Sequence, residues 1–214
     1  MSVVAKICGL SSEAAVEAAV AGGAAYVGFV FYPPSPRAVT PGRAGALCAA
    51  VSAGVQRVGM FVDADDAAIE AVLAAAPLDI LQFHGAETPE RVAEVKRRFG
   101  RKVMKAISVA GLEDVAAASR YEDAADMLLF DAKPPRRADA LPGGNGLVFD
   151  WQLIAGRKWR LPWMLSGGLT AALLPEAVRI SGAKAVDVSS GVERRPGDKD
   201  PDKIRAFLEV ARGL

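Results

Sequence analysis

The residues of this chain that can do chemistry fall at the ends of short apolar runs. Cys8 closes VVAKIC, Arg37 closes GFVFYPPSPR, His84 closes ILQFH, Asp131 closes MLLFD and Asp187 lies inside AVDVSSG. A free cysteine is either a small buried hydrophobe or a reactive thiol. A thiol titrates near pH ~8.5, so a modest downward shift supplies a base at neutral pH, while a carboxyl group held protonated supplies an acid. Lys6 lies two residues before Cys8 and shares its strand face, which makes it the expected source of that shift. An ammonium inside a core needs a partner, and Asp187 and Asp131 are the candidates.

Three glycine-bearing loops accompany these groups: PGGNG (142–146), SGG (166–168) and SSG (189–191). Backbone N–H groups exposed at glycines can hold a phosphate dianion without a lysine. The expected phosphate contacts are Gly144, Asn145, Gly146, Ser166, Gly167, Gly168, Ser189, Ser190 and Gly191.

Positioning such a set requires a repeated scaffold. Strands are expected at 3–7, 25–31, 56–61, 79–83, 102–107, 127–130, 162–165 and 184–188. Helices are expected at 12–21, 41–53, 65–76, 89–99, 112–120, 172–181 and 201–212, with a short one near 150–155. Thr40-Pro41, Thr88-Pro89 and Asp200-Pro201 each set an oxygen-bearing cap before a proline at the first helical position. Alternating strands and helices imply parallel βαβ units, and about eight of them close a (β/α)₈ barrel, here as a single domain over 1–214. The competing open, doubly wound sheet lacks its glycine fingerprint, because the first strand ends in CGLSS. In a barrel, the groups at the C-terminal strand ends form one site.

The formal net charge of +1 argues against a nucleic-acid or anionic-membrane partner, so the basic runs 96–102 and 133–137 read as solvated faces. The uncharged stretch 18–36 is broken by Gly22-Gly23 and Pro33-Pro34 and reads as a helix and a strand joined by a turn, not a membrane span. Two distant cysteines give neither a disulfide framework nor metal-ligand spacing. With no signal-peptide layout at the N-terminus, a reducing cytoplasmic setting is expected. Cys48 and the three tryptophans read as packing, Asp63 as the cap of the third helix, and His84 as a site residue or the partner of a loop carbonyl.

The ordered motifs KICGL, GFVFYPPSPR, VGMFVD, LQFHG, LLFDA, GGNG, FDW, LSGGL and VDVSSGVE run from Lys6 to about Asp200. Together they resemble the phosphoribosylanthranilate isomerases of tryptophan biosynthesis. The resemblance implies a cofactor-free, metal-free Amadori rearrangement of a phosphosugar substrate. It assigns Cys8 as general base and Asp131 as general acid, Arg37 to the anthranilate carboxylate, Asp187 to the ribose, and the glycine loops to the phosphate. Lys6 and His84 join the substrate-binding set. Asp126 and Asp123 are the alternative acids, but Asp126 falls at the start of its strand and Asp131 at the end. A monomer or a homodimer is compatible with the sequence. Two other readings are an aminoaldose isomerase working with two aspartates and a barrel that binds phosphosugars without turnover.

Overall fold

The computed structural model describes residues 3–134 and 141–214, so residues 135–137 of the second basic run lie outside it. Eight parallel strands close into a barrel in sequence order: β1 (Val4–Cys8), β2 (Tyr26–Phe31), β3 (Gln56–Phe61), β4 (Ile80–Phe83), β5 (Lys102–Val109), β6 (Met127–Ala132), β7 (Trp163–Leu165) and β8 (Ala185–Val188). Pairing of β1 with β8 closes it and sets Lys6 opposite Asp187. The helices are α1 (Glu13–Ala21), α2 (Pro41–Cys48), α3 (Asp66–Ala75), α4 (Pro89–Phe99), α5 (Leu112–Ala117), α6 (Leu174–Ser181) and α7 (Pro201–Gly213). Thr40, Thr88 and Asp200 accept from backbone N–H groups of the first turns of α2, α4 and α7, satisfying donors that a helix start leaves unpaired.

Strand alternation sorts the core into two shells. Ile7, Val27, Phe29, Leu81, Phe83 and Phe130 face the helices. Val58, Ile80, Met104, Ala106, Leu129 and Met164 fill the barrel. Trp159 and Trp163 pack on Phe130, with ring centroids 4.9 and 5.7 Å away, as expected of packing tryptophans.

Three expected helices are shorter by three residues or more. α2 ends at Cys48, where its backbone tightens into Ala49→Ala46 and Ala50→Leu47 bonds before a turn at Gly54 (φ 94°). The stretch after α5 is a 3-10 turn, Ala118–Tyr121, and the segment near 150–155 contributes only a 3-10 turn, Trp151–Leu153. Asp63 does not cap α3. Asp65 does, accepting from Ala68 N–H at 2.8 Å, while Asp63 sits at φ 48° and accepts from Ala86 N–H at 2.7 Å. Asp63 therefore pins the loop after β4. Beyond β8 a small hairpin intervenes before α7: β9 (Glu193–Arg195) and β10 (Asp198–Lys199).

Candidate active site

The C-terminal ends of the strands open into a cavity. Cys8, Arg37, His84, Asp131 and Asp187 line it, together with Gly144, Asn145, Gly146, Ser166, Gly167, Gly168, Ser189 and Ser190. Two expected contacts do not line it. Lys6 is fully buried below the cavity, and Gly191 is turned away, its missing Cβ space filled by the Leu169 carbonyl.

The floor is a polar chain anchored on Lys6. Its ammonium donates to Asp187 Oδ1 at 2.9 Å, and Ser166 Oγ donates to Asp187 Oδ2 at 3.0 Å. Burial works against the charged lysine, but Asp187 and then Cys8 outweigh it, and its pKa ends above the ordinary lysine value. Cys8 shows the opposite balance. Burial pushes the thiol up, Lys6 pulls it down, and burial prevails, so its pKa lies above the ordinary thiol value. The expected lowering by Lys6 is present, but the expected net lowering is not, because a thiolate in this buried floor loses more hydration than one ammonium restores. Gly28 makes the room: a Cβ there would come 3.0 Å from Cys8 Sγ and 3.3 Å from Lys6 Nζ.

Across the cavity, His84 Nε2 and Asp131 Oδ2 lie 3.2 Å apart, close but not aligned for a hydrogen bond. His84 Nδ1 faces Gln82 Nε2 at 3.3 Å. His84 thus meets a carboxylate rather than a loop carbonyl. Asp131 Oδ1 accepts from the N–H of Ala132 at 2.9 Å. The alternative acids lie elsewhere: Asp126 binds Lys96 and the N–H of Val103, and Asp123 binds Arg160.

Arg37 is less free than its fork suggests. Nε and Nη2 donate to the two Glu193 oxygens, both at 2.8 Å, and Nη2 also reaches the Gly144 carbonyl at 3.1 Å. Nη1 makes no hydrogen bond among the described residues. The Asn145 side chain turns back to the Leu141 carbonyl at 2.7 Å. The glycine loops interlock: Gly144, Gly146, Gly167 and Gly168 have φ of 74°, 70°, 93° and 61°, and a Cβ on Gly168 would meet Leu147 O at 2.8 Å. The N–H groups of Gly167 and Gly168 have no acceptor among the described residues, leaving donors for an anion. Among the described residues, no group of three or more His, Cys, Asp or Glu could hold a metal ion, and no helix is long and apolar enough to cross a membrane.

Residues 5–210 match the family model described as N-(5'phosphoribosyl)anthranilate (PRA) isomerase. The chain belongs to this isomerase family. It is similar to the N-(5'-phosphoribosyl)anthranilate isomerases of Paracoccus denitrificans (60% identical over 211 residues, 99% of this chain and 98% of the relative) and Paramagnetospirillum magneticum (58% over 213 residues, 100% and 99%). Among solved structures, the phosphoribosyl anthranilate isomerase of Thermotoga maritima is 36% identical, with a TM-score of 0.88, over 99% of this chain and 100% of that one. Another isomerase of the family, in complex with reduced 1-(o-carboxyphenylamino)-1-deoxyribulose 5-phosphate, is 35% identical with a TM-score of 0.85, over 99% and 100%. The barrel and the family expected from the motifs are both shown.

Some supporting residues escaped the sequence reading. Glu193 and Lys199 stand in a segment with no expected element between the last strand and the last helix. Glu87 and Lys105 form a buried pair beside His84, with Lys105 Nζ 2.8 Å from Glu87 Oε2. The one available signal was a pair of opposite charges six apart in VERRPGDK, which reads equally well as a solvated loop.

Proposed function

We propose that this chain converts N-(5-phosphoribosyl)anthranilate to 1-(2-carboxyphenylamino)-1-deoxyribulose 5-phosphate, with Asp131 as general acid and Cys8 as general base. The observation that carries this reading is that Cys8 and Asp131, brought from β1 and β6, line one cavity whose wall is built from the three glycine loops.

The chemistry follows from the groups. As the anilino nitrogen pushes its electrons toward C1, Asp131 protonates the furanose oxygen and the C1–O bond breaks. The iminium so formed acidifies the C2 hydrogen and acts as its own electron sink. The Cys8 thiolate removes that proton, giving an enaminol. Ketonisation completes the reaction: C1 gains a proton and the C2 hydroxyl loses one. The Nη1 edge of Arg37 faces the anthranilate carboxylate, Asp187 the ribose hydroxyls, and the N–H groups of the glycine loops the phosphate. His84 keeps the acid's side of the cavity polar and takes no proton in this scheme.

In this reading the whole chain acts as one barrel domain in the cytoplasm, on a small-molecule phosphosugar and not on nucleic acid or membrane. One Thermotoga maritima relative is described as dimeric, with monomers generated from it. A monomer or a homodimer is compatible with this reading.

Complementation of a tryptophan auxotroph lacking this isomerase tests the assignment. Rescue by wild type and by neither Cys8→Ala nor Asp131→Asn is expected. Rescue by Cys8→Ala would instead favour the two-aspartate mechanism, and no rescue by folded wild type would overturn the activity.

A further inference from the structure

A guanidinium has five N–H groups, and three of those on Arg37 are already engaged, by Glu193 and by Gly144. The fork that ordinarily grips a carboxylate is closed by the protein's own carboxylate, and the Arg37–Glu193 pair carries no net charge. The surplus charge lies one step deeper. Lys199 Nζ is 2.7 Å from Glu193 Oε1, and its side chain is 0% exposed. Two cations and one anion leave this buried triad at +1.

The same ammonium donates to the carbonyl of Ser189 at 2.9 Å and to its Oγ at 3.1 Å. Ser189 begins the loop after β8 that forms one wall of the cavity. One buried cation therefore braces both sides, Arg37 through Glu193 and the loop through Ser189. Other contacts hold the hairpin that carries it. Lys203 Nζ donates to the Glu193 carbonyl at 2.7 Å. Gly197 (φ 85°) packs so tightly that a Cβ would collide with the carbonyl of Pro36, the residue before Arg37. Burial pulls the Lys199 pKa below the ordinary lysine value while Glu193 opposes it, a costly placement for an ammonium without a task.

We infer that Lys199 is a positioning residue for substrate recognition: through Glu193 it fixes the Nη1 edge of Arg37 toward the substrate carboxylate, through Ser189 it fixes the loop that receives the phosphate, and it supplies the net positive charge between them. This rests on the isomerase reading. It adds that the two anionic ends of the substrate are held by one shared support.

The test uses the full-length protein, with anthranilate as a probe of the carboxylate end and ribose 5-phosphate as a probe of the phosphate end, each as a competitive inhibitor. Lys199→Met is expected to raise KM by about 10-fold or more with kcat within about 3-fold, and to weaken both inhibitors. Glu193→Gln is expected to weaken anthranilate about 10-fold and ribose 5-phosphate by less than about 2-fold, because Lys199 still holds Ser189. If Lys199→Met does not fold, the selective loss in Glu193→Gln carries the test. Folded Lys199→Met with unchanged KM, or with only one inhibitor weakened, overturns the shared support. So does Glu193→Gln weakening both equally. Wild type that does not turn over the substrate overturns the isomerase reading itself, and this inference with it.

Discussion

His84 Nε2 and Asp131 Oδ2 face each other at 3.2 Å, and Gly143 closes over both: a Cβ there would come 2.7 Å from His84 Cε1 and 2.9 Å from Asp131 Oδ2. The carboxyl group assigned as the acid is therefore confined by a ring on one side and by bare backbone on another. Asp131→Asn and Cys8→Ala are each expected to lower kcat by about 10²–10⁴-fold with an unchanged circular dichroism spectrum. His84→Ala, which loosens the acid without removing it, is expected to cost about 10–100-fold. Steady-state kinetics of the three variants check this ordering, and a His84→Ala loss as large as that of Asp131→Asn would give the histidine a proton-transfer role.

The Cys8 thiol is raised by burial and lowered by Lys6. A raised pKa leaves little thiolate at neutral pH. Lys6→Met removes the lowering influence and should move alkylation of Cys8 by iodoacetamide to higher pH. Cys48, pushed up to about 11 chiefly by burial, should not move and is the internal control. An unchanged Cys8 profile would remove Lys6 from the mechanism.

The same shift has a stability consequence. A thiol that binds its proton more tightly when folded favours the folded state fully at pH below the ordinary thiol value, about 8.5, and that contribution is lost as pH rises through the folded pKa. Urea midpoints of wild type should therefore fall more steeply above pH ~8.5 than those of Cys8→Ala.

Glu87 and Lys105 are 2% and 3% exposed at their side chains and 2.8 Å apart. Glu87 also accepts from the N–H groups of Asp63 and Gly85, and Lys105 donates to the Gly85 carbonyl, next to His84. Removing one partner strands a buried charge, so Lys105→Met is expected to lose about 3–5 kcal/mol of unfolding free energy in urea titration. A loss below about 1 kcal/mol would mean that water reaches the pair.

Gly9 has φ 77°, and a Cβ there would stand 2.8 Å from Arg37 Cδ and 3.2 Å from Ser189 Oγ. Gly9→Ala is expected to cost about 1–2 kcal/mol from the left-handed backbone alone and to raise KM by displacing Arg37. Destabilisation with an unchanged KM would show that Arg37 adjusts.

The sequence by itself determined the barrel, because period-two apolar runs alternating with capped helices have few other ways to bury both faces. It also determined which strand ends carry Cys8, His84, Asp131 and Asp187, since alternation along a strand decides which side chains look inward. The tertiary structure chose among partners: Lys6 meets Asp187 and not Asp131, because closure of the barrel puts β1 beside β8. It placed His84 against Asp131 and closed the Arg37 fork on Glu193, and it turned Gly191 away from the cavity. It also decided the protonation balance of Cys8. Motif order locates a thiol and an ammonium on one face, but how much water each loses depends on residues far apart in the chain, and that loss exceeds what their two-residue spacing promised.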